Sequence, residues 1–488
     1  MNNRSLVAII AVVIIAVAGY FIFFNKKPTE MASAPMPAPA ATAPAPAPAP
    51  QTAAAPTPAP APAPAPAASG NGPIEIQWWH AMGGQLGEVV NKLAADFNAS
   101  QSEYKITPVY KGSYTETLTA AIAAFRANQA PAILQVFEVG TASMMAAKGV
   151  VYPVYQLMAD ANEPFDPKAY IGPVYGYYST TDGKLLSMPF NSSTPVFYWN
   201  KDEFKKAGLD PEKPPTTWKE VGEYAGKIVS SGAAKCGFTT QWQTWVLLEN
   251  FSAWHNLPIA TKENGFGGTD VELKINSPAH VELISMLNDW QKDKRFVYGG
   301  REGKSTPLFS SGECAMHIAS SGSAGAIQAG LKDTPFGIGM MPYLDDVVKA
   351  PQNSIIGGAT LWVLNGRPKA EYKGVAKFFT FLSKPEVQAE WHQKTGYVPI
   401  TIAAADLTKK QGFYDKFPGR DVAVKQLTLN PPTENSKGLR LGNLVQIRDI
   451  EDTELEAVWS GKKDAKSALD AIVAQGNELL KKFDQDNK

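Results

Sequence analysis

The sequence predicts an α/β protein with at least two domains, preceded by a membrane anchor and an alanine- and proline-rich stalk. Three observations lead to this prediction: an uncharged N-terminal run, a following segment that cannot form a core, and strand and helix patterns that alternate from Pro73 onward. The chain has 488 residues, and a single hydrophobic core stops growing at roughly 250 to 300 residues. We therefore expect the body to form two sizeable domains.

The N-terminal run from Leu6 to Phe24 reads LVAIIAVVIIAVAGYFIFF and carries no charge. At about 1.5 Å per residue, a helix of this length spans about 28 Å, which matches one hydrocarbon core. We favour an uncleaved signal anchor, a transmembrane helix over residues 1–27. The alternative is a long signal peptide that is cleaved after the AVA preceding Gly19. Both interpretations send the rest of the chain across a membrane.

The segment over residues 28–72 consists mostly of alanine and proline, in runs such as APAPAPAP. This composition cannot bury a core and favours an extended polyproline II conformation. At about 3.1 Å per residue, the segment reaches roughly 130 Å when it is fully extended. We interpret it as a linker that keeps a folded body near the membrane.

The body begins with PIEIQWW, and YKITPVY and AILQVFEV follow as further predicted strands. Between these strands, apolar residues recur at helical spacing: Leu86, Val89, Val90, Leu93, Ala94 and Phe97, and then Leu118, Ile122 and Phe125. The alternation of strands and helices predicts a mainly parallel sheet that is covered by helices on both faces. Thr217 and Glu220 have the spacing of a capping box and predict the start of a later helix.

Composition and motif spacing argue against an enzyme and against a polyanion binder. The 46 basic and 46 acidic residues cancel, so no global field favours nucleic acid. No two of the five histidines have HxH or HxxxH spacing, and no GxSxG elbow surrounds a serine. We therefore predict no metal and no cofactor. Cys236 and Cys314 form no CxxC unit, which leaves either one disulfide or two free thiols.

Two loops have the residue types of an anion site. GGREGKST, from Gly299 to Thr306, has three residues instead of four before its Gly-Lys pair, and we interpret it as a surface loop. The run NSSTP contains Ser192, Ser193 and Thr194, which form either a nucleophile or a loop that grips an anion. No histidine lies near these serines in the sequence, which favours the second interpretation.

Five further residues, at four places in the chain, are of types that bind ligands, and each place has a structural alternative. The stretch IASSGSAG around Ser320 either presents N–H groups to an anion or caps its own helix. Gly357 and Gly358 begin a strand, where a missing side chain admits a ligand or relieves a bend. Arg448 interrupts an apolar run, as a salt-bridged core residue or a phosphate clamp. Trp242 lies in a dense group of aromatics that fill a core or wall a cleft.

Longer stretches of the body carry a family resemblance. YWNKDEFKKAGLDPEKPPTTWKEV is typical of extracellular solute-binding proteins, and YKGSYTETL, PFNSSTPVFYWNKD, APQNSIIGGATLWV and KGLRLGNLVQIR are more specific. Through these stretches, the body from Pro73 to the C-terminus resembles the sn-glycerol 3-phosphate binders of bacterial ABC importers, in the group that includes maltose-binding proteins. The resemblance implies a type II periplasmic-binding-protein fold, in which two α/β lobes close over a ligand like a Venus flytrap. It also implies a receptor and not an enzyme.

The resemblance implies a set of ligand contacts as well. Tyr114 and Glu138 would hold the glycerol hydroxyls, since a carboxylate accepts two hydrogen bonds from a vicinal diol. Five groups would bind the phosphate: Ser193, Ser320, the Gly358 backbone N–H, Tyr397 and Arg448. Trp242 would form an aromatic wall beside the ligand.

For the two lobes, we expect residues 73–190 and 338–400 in the first and residues 191–337 and 401–488 in the second. The receptor would act as a periplasmic monomer, tethered to the outer face of the inner membrane by its N-terminal helix. Its partners would be sn-glycerol 3-phosphate or a glycerophosphodiester, and the permease subunits of an ABC importer. Two alternatives remain: an oligosaccharide receptor that relies on aromatic stacking, and a glycerophosphodiester hydrolase that needs a metal or a base beside a serine.

Overall fold

The computed structural model describes residues 72–488. The predicted signal anchor over residues 1–27 lies outside the described residues, as does the predicted linker except for its last residue. Within residues 72–488, we find no helix whose length and apolar content would let it cross a membrane. Residues Pro73–Lys488 form one unit.

Nine strands in the described part of the chain form two separate sheets. Their bounds are β1 Ile74–His80, β2 Tyr104–Tyr110, β3 Ile133–Phe137, β4 Met188–Ser193, β5 Pro195–Asn200, β6 Cys236–Thr240, β7 Cys314–Ser320, β8 Phe336–Gly339 and β9 Gly357–Val363. The first sheet has the order β2-β1-β3-β9-β4, and the second has the order β6-β7-β5-β8.

Helices surround both sheets and make up most of the C-terminal part of the chain. The α-helices are Gly84–Ser100, Tyr114–Arg126, Thr141–Ala146, Val154–Asp160, Gly172–Tyr177, Lys201–Lys206, Trp218–Ser230, Phe251–Trp254, Thr261–Asn264, Pro278–Lys292, Thr306–Ser310, Ala324–Leu331, Lys369–Leu382, Pro385–Thr395, Ile402–Lys410, Phe413–Lys416, Val422–Leu427, Leu444–Trp459 and Ala465–Asn487. Three-residue 3₁₀ turns lie at Glu138–Gly140, Pro167–Ala169 and Ser321–Ser323, and Trp245–Asn250 is a π-helix.

The prediction of a mainly parallel sheet is wrong, because both sheets are mixed. β1 pairs in parallel with β2 and β3, and β6 pairs in parallel with β7. β9 is antiparallel to β3 and β4, and β5 is antiparallel to β7 and β8. The chain leaves the first sheet, builds the second and then returns, so β9 enters against the direction of the strands that formed earlier.

The chain changes from the first sheet to the second between Ser193 and Pro195, and it returns between Gly339 and Gly357. The predicted lobe boundaries themselves stay a prediction. The C-terminal helices Leu444–Trp459 and Ala465–Asn487 pack on each other. Both also pack on Pro278–Lys292, and the helix that carries Arg448 packs on the turn Glu138–Gly140, which follows β3 of the first sheet.

Local signals explain several element boundaries. Thr217 accepts from the Glu220 N–H while the Glu220 side chain accepts from the Thr217 N–H, so the predicted capping box is confirmed. Cys236 and Cys314 occupy directly paired positions of β6 and β7 and form a disulfide. Of the two alternatives for the cysteines, the structure therefore has the bonded pair.

Candidate functional site

A cavity of about 540 Å³ contains every predicted ligand-binding residue in its wall. These eight residues are Tyr114, Glu138, Ser193, Trp242, Ser320, Gly358, Tyr397 and Arg448. Three of them lie in the two sheets and Arg448 lies in a C-terminal helix, whereas the other four lie at a helix start, in a 3₁₀ turn and in loops. The fold thus brings together residues whose sequence neighbourhoods alone left structural alternatives open.

The three hydroxyls of the NSSTP run have different environments. Thr194 donates to Ser354 Oγ at 2.6 Å inside the protein. Ser192 Oγ is buried and has no partner among the described residues. Side chains alternate in direction along a strand, so Ser193 faces the opposite side of β4 from Ser192. Ser193 lines the cavity. Of the three hydroxyls, the Ser193 hydroxyl is the one placed for a ligand.

Glycine and serine backbone geometry shapes the same part of the wall. Gly358 has φ +90°, and a Cβ at this position would lie 1.8 Å from the Asn191 carbonyl oxygen, so β9 and β4 approach closely here only because Gly358 lacks a side chain. Ser320 Oγ accepts from Gly322 N at 3.1 Å, which confirms a capping role for this serine. Its O–H remains available, so capping and ligand binding are compatible.

Tyr114 and Tyr397 bring two phenols to the wall. The Tyr114 ring stacks on Phe137 with 5.1 Å between centroids, and the Tyr397 ring stacks on Trp391 with 5.7 Å. Asn191 Nδ2 donates to the Tyr114 hydroxyl at 2.8 Å. Burial raises the pKa of both phenols above the ordinary value, so both stay protonated and act as hydrogen-bond donors. We call Tyr114, Ser193, Ser320, Gly358 and Tyr397 the neutral donor group.

Arg448, which also lines the cavity, is held by two carboxylates. Its Nε and Nη2 donate to the two oxygens of Glu249, each at 2.7 Å, and Nη2 also donates to Glu138 Oε1 at 2.7 Å. The side chains of Arg448, Glu138 and Glu249 are only 8, 5 and 2 % exposed. Within residues 72–488, Nη1 has no hydrogen-bond partner, which leaves this edge of the guanidinium for a ligand.

Burial and the neighbouring charges shift the pKa values around Arg448, and for Arg448 and Glu138 they act in opposite directions. Burial alone would lower the pKa of Arg448, but Glu249 and Glu138 outweigh that effect and raise it. Burial raises the pKa of Glu138, and Arg448 partly offsets the rise. Burial and then Glu249 raise the pKa of Glu451 well above its ordinary value, which favours its neutral form. We call Glu138, Glu249, Arg448 and Glu451 the carboxylate–arginine cluster.

Sequence reasoning missed the contribution of the π-helix Trp245–Asn250. Trp245 lines the cavity and packs over Gly357, where a Cβ would lie 2.4 Å from the indole ring. Glu249, on the same π-helix, accepts two hydrogen bonds from Arg448 and is not itself among the residues that line the cavity. π-Helical turns are rare and occur frequently at functional sites. The apolar run WVLLEN contained no signal for this role, because the partner of Glu249 is 199 residues away.

The loop GGREGKST is not only a surface loop, so that interpretation is corrected. Glu302, Gly303 and Thr306 line the cavity. Arg301 fixes the loop by donating to both oxygens of Glu456, at 2.9 and 2.7 Å. Glu302 O in turn accepts from Trp242 N at 2.8 Å and holds that residue at φ +45°, a left-handed conformation that is strained for tryptophan.

The histidines have internal partners and do not gather at the cavity. His280 bridges Ser252 and Ser277 at 2.7 Å each, and His255 accepts from Leu344 N at 2.8 Å. Burial lowers the pKa of His280 to about 3 and that of His255 to about 4, so both are neutral. Across residues 72–488, no group of three or more His, Cys, Asp or Glu side chains is arranged to hold a metal ion.

The family model of bacterial extracellular solute-binding proteins matches residues 92–423. The chain belongs to this family. It is 55% identical over 415 residues to the sn-glycerol-3-phosphate-binding periplasmic protein UgpB of Yersinia pseudotuberculosis, covering 85% of this chain and 94% of that protein. The UgpB of Escherichia coli O6:K15:H31 is 55% identical over 414 residues, with 85% of this chain and 94% of that protein covered.

Two solved structures have the same two-lobed fold. UgpB from Mycobacterium tuberculosis in complex with glycerophosphocholine has a TM-score of 0.71 at 21% identity, covering 85% of this chain and 100% of that chain. The cyclic α-maltosyl-1,6-maltose binding protein from Arthrobacter globiformis has a TM-score of 0.67 at 22% identity, covering 84% of this chain and 100% of that chain. The predicted family and two-lobed fold are confirmed, and the chain is a solute-binding protein and not an enzyme.

Proposed function

We propose that this solute-binding protein captures sn-glycerol 3-phosphate in the cavity and delivers it to the permease of an ABC importer. The observation that carries this proposal is the convergence of all eight residues of the expected glycerol-phosphate site on one cavity. The names of the 55% identical relatives point to the same ligand. Glycerophosphodiesters are a second ligand class for the same site.

The cavity offers two kinds of group that suit the two ends of this ligand. The neutral donor group supplies hydroxyl and backbone N–H donors for phosphate oxygens, and the free Nη1 edge of Arg448 adds a charge-assisted donor. Glu138 is an acceptor for the glycerol hydroxyls even while it binds Arg448, because a carboxylate has about four lone-pair sites. Trp242 covers the ligand as an apolar wall.

Ligand binding in this proposal couples the two sheets. Gly358 belongs to the first sheet and Ser320 to the second, so an anion bound by both stabilises the closed arrangement of the lobes. The permease subunits then recognise the closed receptor. The receptor acts as a monomer, and the N-terminal run keeps it in the periplasm near the inner membrane, where tethering raises its local concentration.

Calorimetry and thermal melting of residues 73–488 test this proposal against its alternatives. Ligand at one hundred times its Kd stabilises the folded state by about 2.7 kcal/mol. We expect this stabilisation with sn-glycerol 3-phosphate, a measurable effect with glycerophosphocholine, and none with maltose. Stabilisation by maltose alone would replace the proposal with an oligosaccharide receptor. Release of glycerol 3-phosphate from glycerophosphocholine would overturn it in favour of a hydrolase.

A further inference from the structure

Two buried amides, Gln135 and Asn191, stand behind the phenols of the site. Both residues are 0 % exposed, and neither is among the residues that line the cavity. Ala81 N donates to Gln135 Oε1 at 2.7 Å, and Gln135 Nε2 donates to Asn191 Oδ1 at 2.8 Å. Asn191 Nδ2 then donates to the Tyr114 hydroxyl at 2.8 Å. The four groups form one continuous hydrogen-bond chain, which we call the amide relay.

The fold brings the two amides together across an intervening strand. Gln135 lies in β3 and Asn191 in β4, and β9 runs between these strands. Asn191 is paired with Ala359, and Gln135 is paired with Leu361, two positions further along β9. The two amide side chains hydrogen-bond to each other across β9. This placement is what lets a backbone N–H near His80 influence a phenol in the cavity.

The direction of the amide relay is fixed by its first member. A backbone N–H only donates, so Gln135 must present its oxygen to Ala81 and its NH₂ group to Asn191. Asn191 must therefore present its oxygen to Gln135 and its NH₂ group to Tyr114. Reversing either amide would place two donors or two acceptors against each other in a fully buried environment, where neither group has water to replace the lost partner.

The relay determines what Tyr114 offers to a ligand. Because the Tyr114 oxygen already accepts from Asn191, its single O–H is left to donate elsewhere. Tyr397 lies beside the same amide and beside the Tyr114 hydroxyl. In the described part of the chain, no carbonyl or carboxylate accepts from either phenol, and both residues line the cavity. The two phenols lie within hydrogen-bonding reach of each other, so a ligand oxygen placed between them meets O–H donors, and Glu138, which lies near both, presents an acceptor.

We propose that Gln135 and Asn191 are positioning residues that orient the Tyr114 hydroxyl as a donor toward an oxygen of the ligand. The inference rests on the proposed function, in which this oxygen belongs to a glycerol hydroxyl of sn-glycerol 3-phosphate. That hydroxyl accepts from Tyr114 and donates its own proton to Glu138. The site thereby selects a group that both accepts and donates at this point.

A double-mutant cycle between Tyr114→Phe and Asn191→Asp tests the relay. The carboxylate that Asn191→Asp introduces would accept from Gln135 and also from the Tyr114 O–H, which turns that hydroxyl away from the ligand. We expect each single variant to raise the Kd for sn-glycerol 3-phosphate about tenfold. Adding Tyr114→Phe to Asn191→Asp should then change the Kd less than about twofold, because the donor is already lost. Equal losses from Tyr114→Phe in both backgrounds would overturn the proposal.

Asn264→Asp is the matched control, because Asn264 is also 0 % exposed and its Nδ2 donates to the Asn435 carbonyl oxygen at 3.1 Å. It should lower the melting temperature as Asn191→Asp does while leaving the Kd within about twofold of the wild type. A large change in Kd for this control would mean that any buried acid disturbs the site, and it would overturn the relay. If Asn191→Asp does not fold, Gln135→Glu replaces it. The Glu carboxylate would accept from Asn191, so Asn191 would turn its oxygen toward Tyr114, and the double-mutant cycle with Tyr114→Phe should give the same result.

A measurement without ligand separates failure of the relay from failure of the proposed function. In unliganded Asn191→Asp, a carboxylate holds the Tyr114 hydroxyl, so proton NMR should show a downfield hydroxyl resonance that exchanges slowly with water. The resonance should be missing from the wild type and from the double variant. Its absence in Asn191→Asp overturns the relay. A wild type that shows no binding of sn-glycerol 3-phosphate overturns the proposed function instead, while this resonance still decides the relay.

Discussion

The neutral donor group and the carboxylate–arginine cluster, the two polar sides of the candidate site, are held in place in opposite ways. The neutral donor group is oriented by glycine geometry, a serine cap and buried amides, each with matched donors and acceptors. In the carboxylate–arginine cluster, one guanidinium donates to both Glu138 and Glu249. Glu451 Oε2 has no hydrogen-bond partner among the described residues. One side is organised by hydrogen-bond direction and the other by charge balance.

This difference determines how each side responds to change. A buried carboxylate that loses its cation keeps its full desolvation penalty, whereas a neutral hydrogen bond contributes only about 0.5 to 1.5 kcal/mol net. Removing a charge should therefore destabilise the fold itself, and removing a neutral donor should mainly weaken ligand binding. Burial shifts pKa values in both groups: it raises those of Glu138 and Glu451 in the cluster, and those of the Tyr114 and Tyr397 phenols in the neutral donor group.

The largest effect is expected from Arg448→Ala. The variant leaves Glu138 and Glu249 buried without their cation, and breaking such a pair costs about 3 to 5 kcal/mol. We expect the free energy of unfolding to fall by that amount in urea titrations, together with loss of sn-glycerol 3-phosphate binding. Arg448 would thus be both a ligand group and a structural ion-pair partner.

Arg301→Ala is the control for that prediction. Arg301 also makes a two-point contact with a carboxylate of the same helix, but the side chains of Arg301 and Glu456 are 34 and 35 % exposed. A pair that water screens contributes at most about 1 kcal/mol. If both variants unfold at the same urea concentration, burial of the Arg448 cluster has no energetic consequence and the comparison of the two sides fails.

Much of the fold followed from periodicity and capping. The strand YKITPVY and the capping box of Thr217 and Glu220 are found where the sequence predicts them. Strand direction was not predictable, because the antiparallel entry of β9 depends on where the chain returns from the second sheet. Local sequence patterns predict where strands and helices lie, whereas the direction of each strand in a sheet depends on how distant parts of the chain pair.

The candidate site divides in the same way. Its eight residues could be predicted because each lies in a stretch that resembles a known family. The residues that orient them could not: Gln135 is 56 positions from Asn191, and Glu249 is 199 positions from Arg448. Gln135 is an amide in a strand and Glu249 is an acid in an apolar run. Neither pattern predicts a role, because the partner of each side chain is brought close only by the fold.

A second, smaller effect is expected from Asp452→Asn, at the residue that follows Glu451 of the carboxylate–arginine cluster. Burial raises the pKa of Asp452 to about 6, while Gln243 Nε2 donates to its Oδ1 at 2.9 Å. An unfolded aspartate titrates near 3.9, so the folded state binds the proton more tightly, and stability falls as pH rises from about 4 to about 6. The loss amounts to about 2 to 3 kcal/mol.

Asparagine keeps the acceptor for Gln243 and has no charge, so the variant should match the wild type below about pH 4 and be more stable above about pH 6. Urea unfolding at a series of pH values measures this difference. The exposed Asp415→Asn serves as the control for replacing an aspartate at the surface. If the wild type instead gained stability relative to Asp452→Asn as the pH rises from about 4 to about 6, the raised pKa of Asp452 would be refuted.

The smallest effects on stability are expected from two serines of the neutral donor group, and they separate capping from ligand binding. Ser320→Ala removes the acceptor of Gly322 N and should lower the free energy of unfolding by about 1 kcal/mol. Ser193→Ala removes a hydroxyl for which no hydrogen bond is found among residues 72–488, so unfolding should change by less than about 0.5 kcal/mol. Both variants should raise the Kd for sn-glycerol 3-phosphate in calorimetry. Equal destabilisation by both would mean that Ser193 supports the turn as its neighbours do, because a residue that only touches ligand contributes nothing to the unliganded fold.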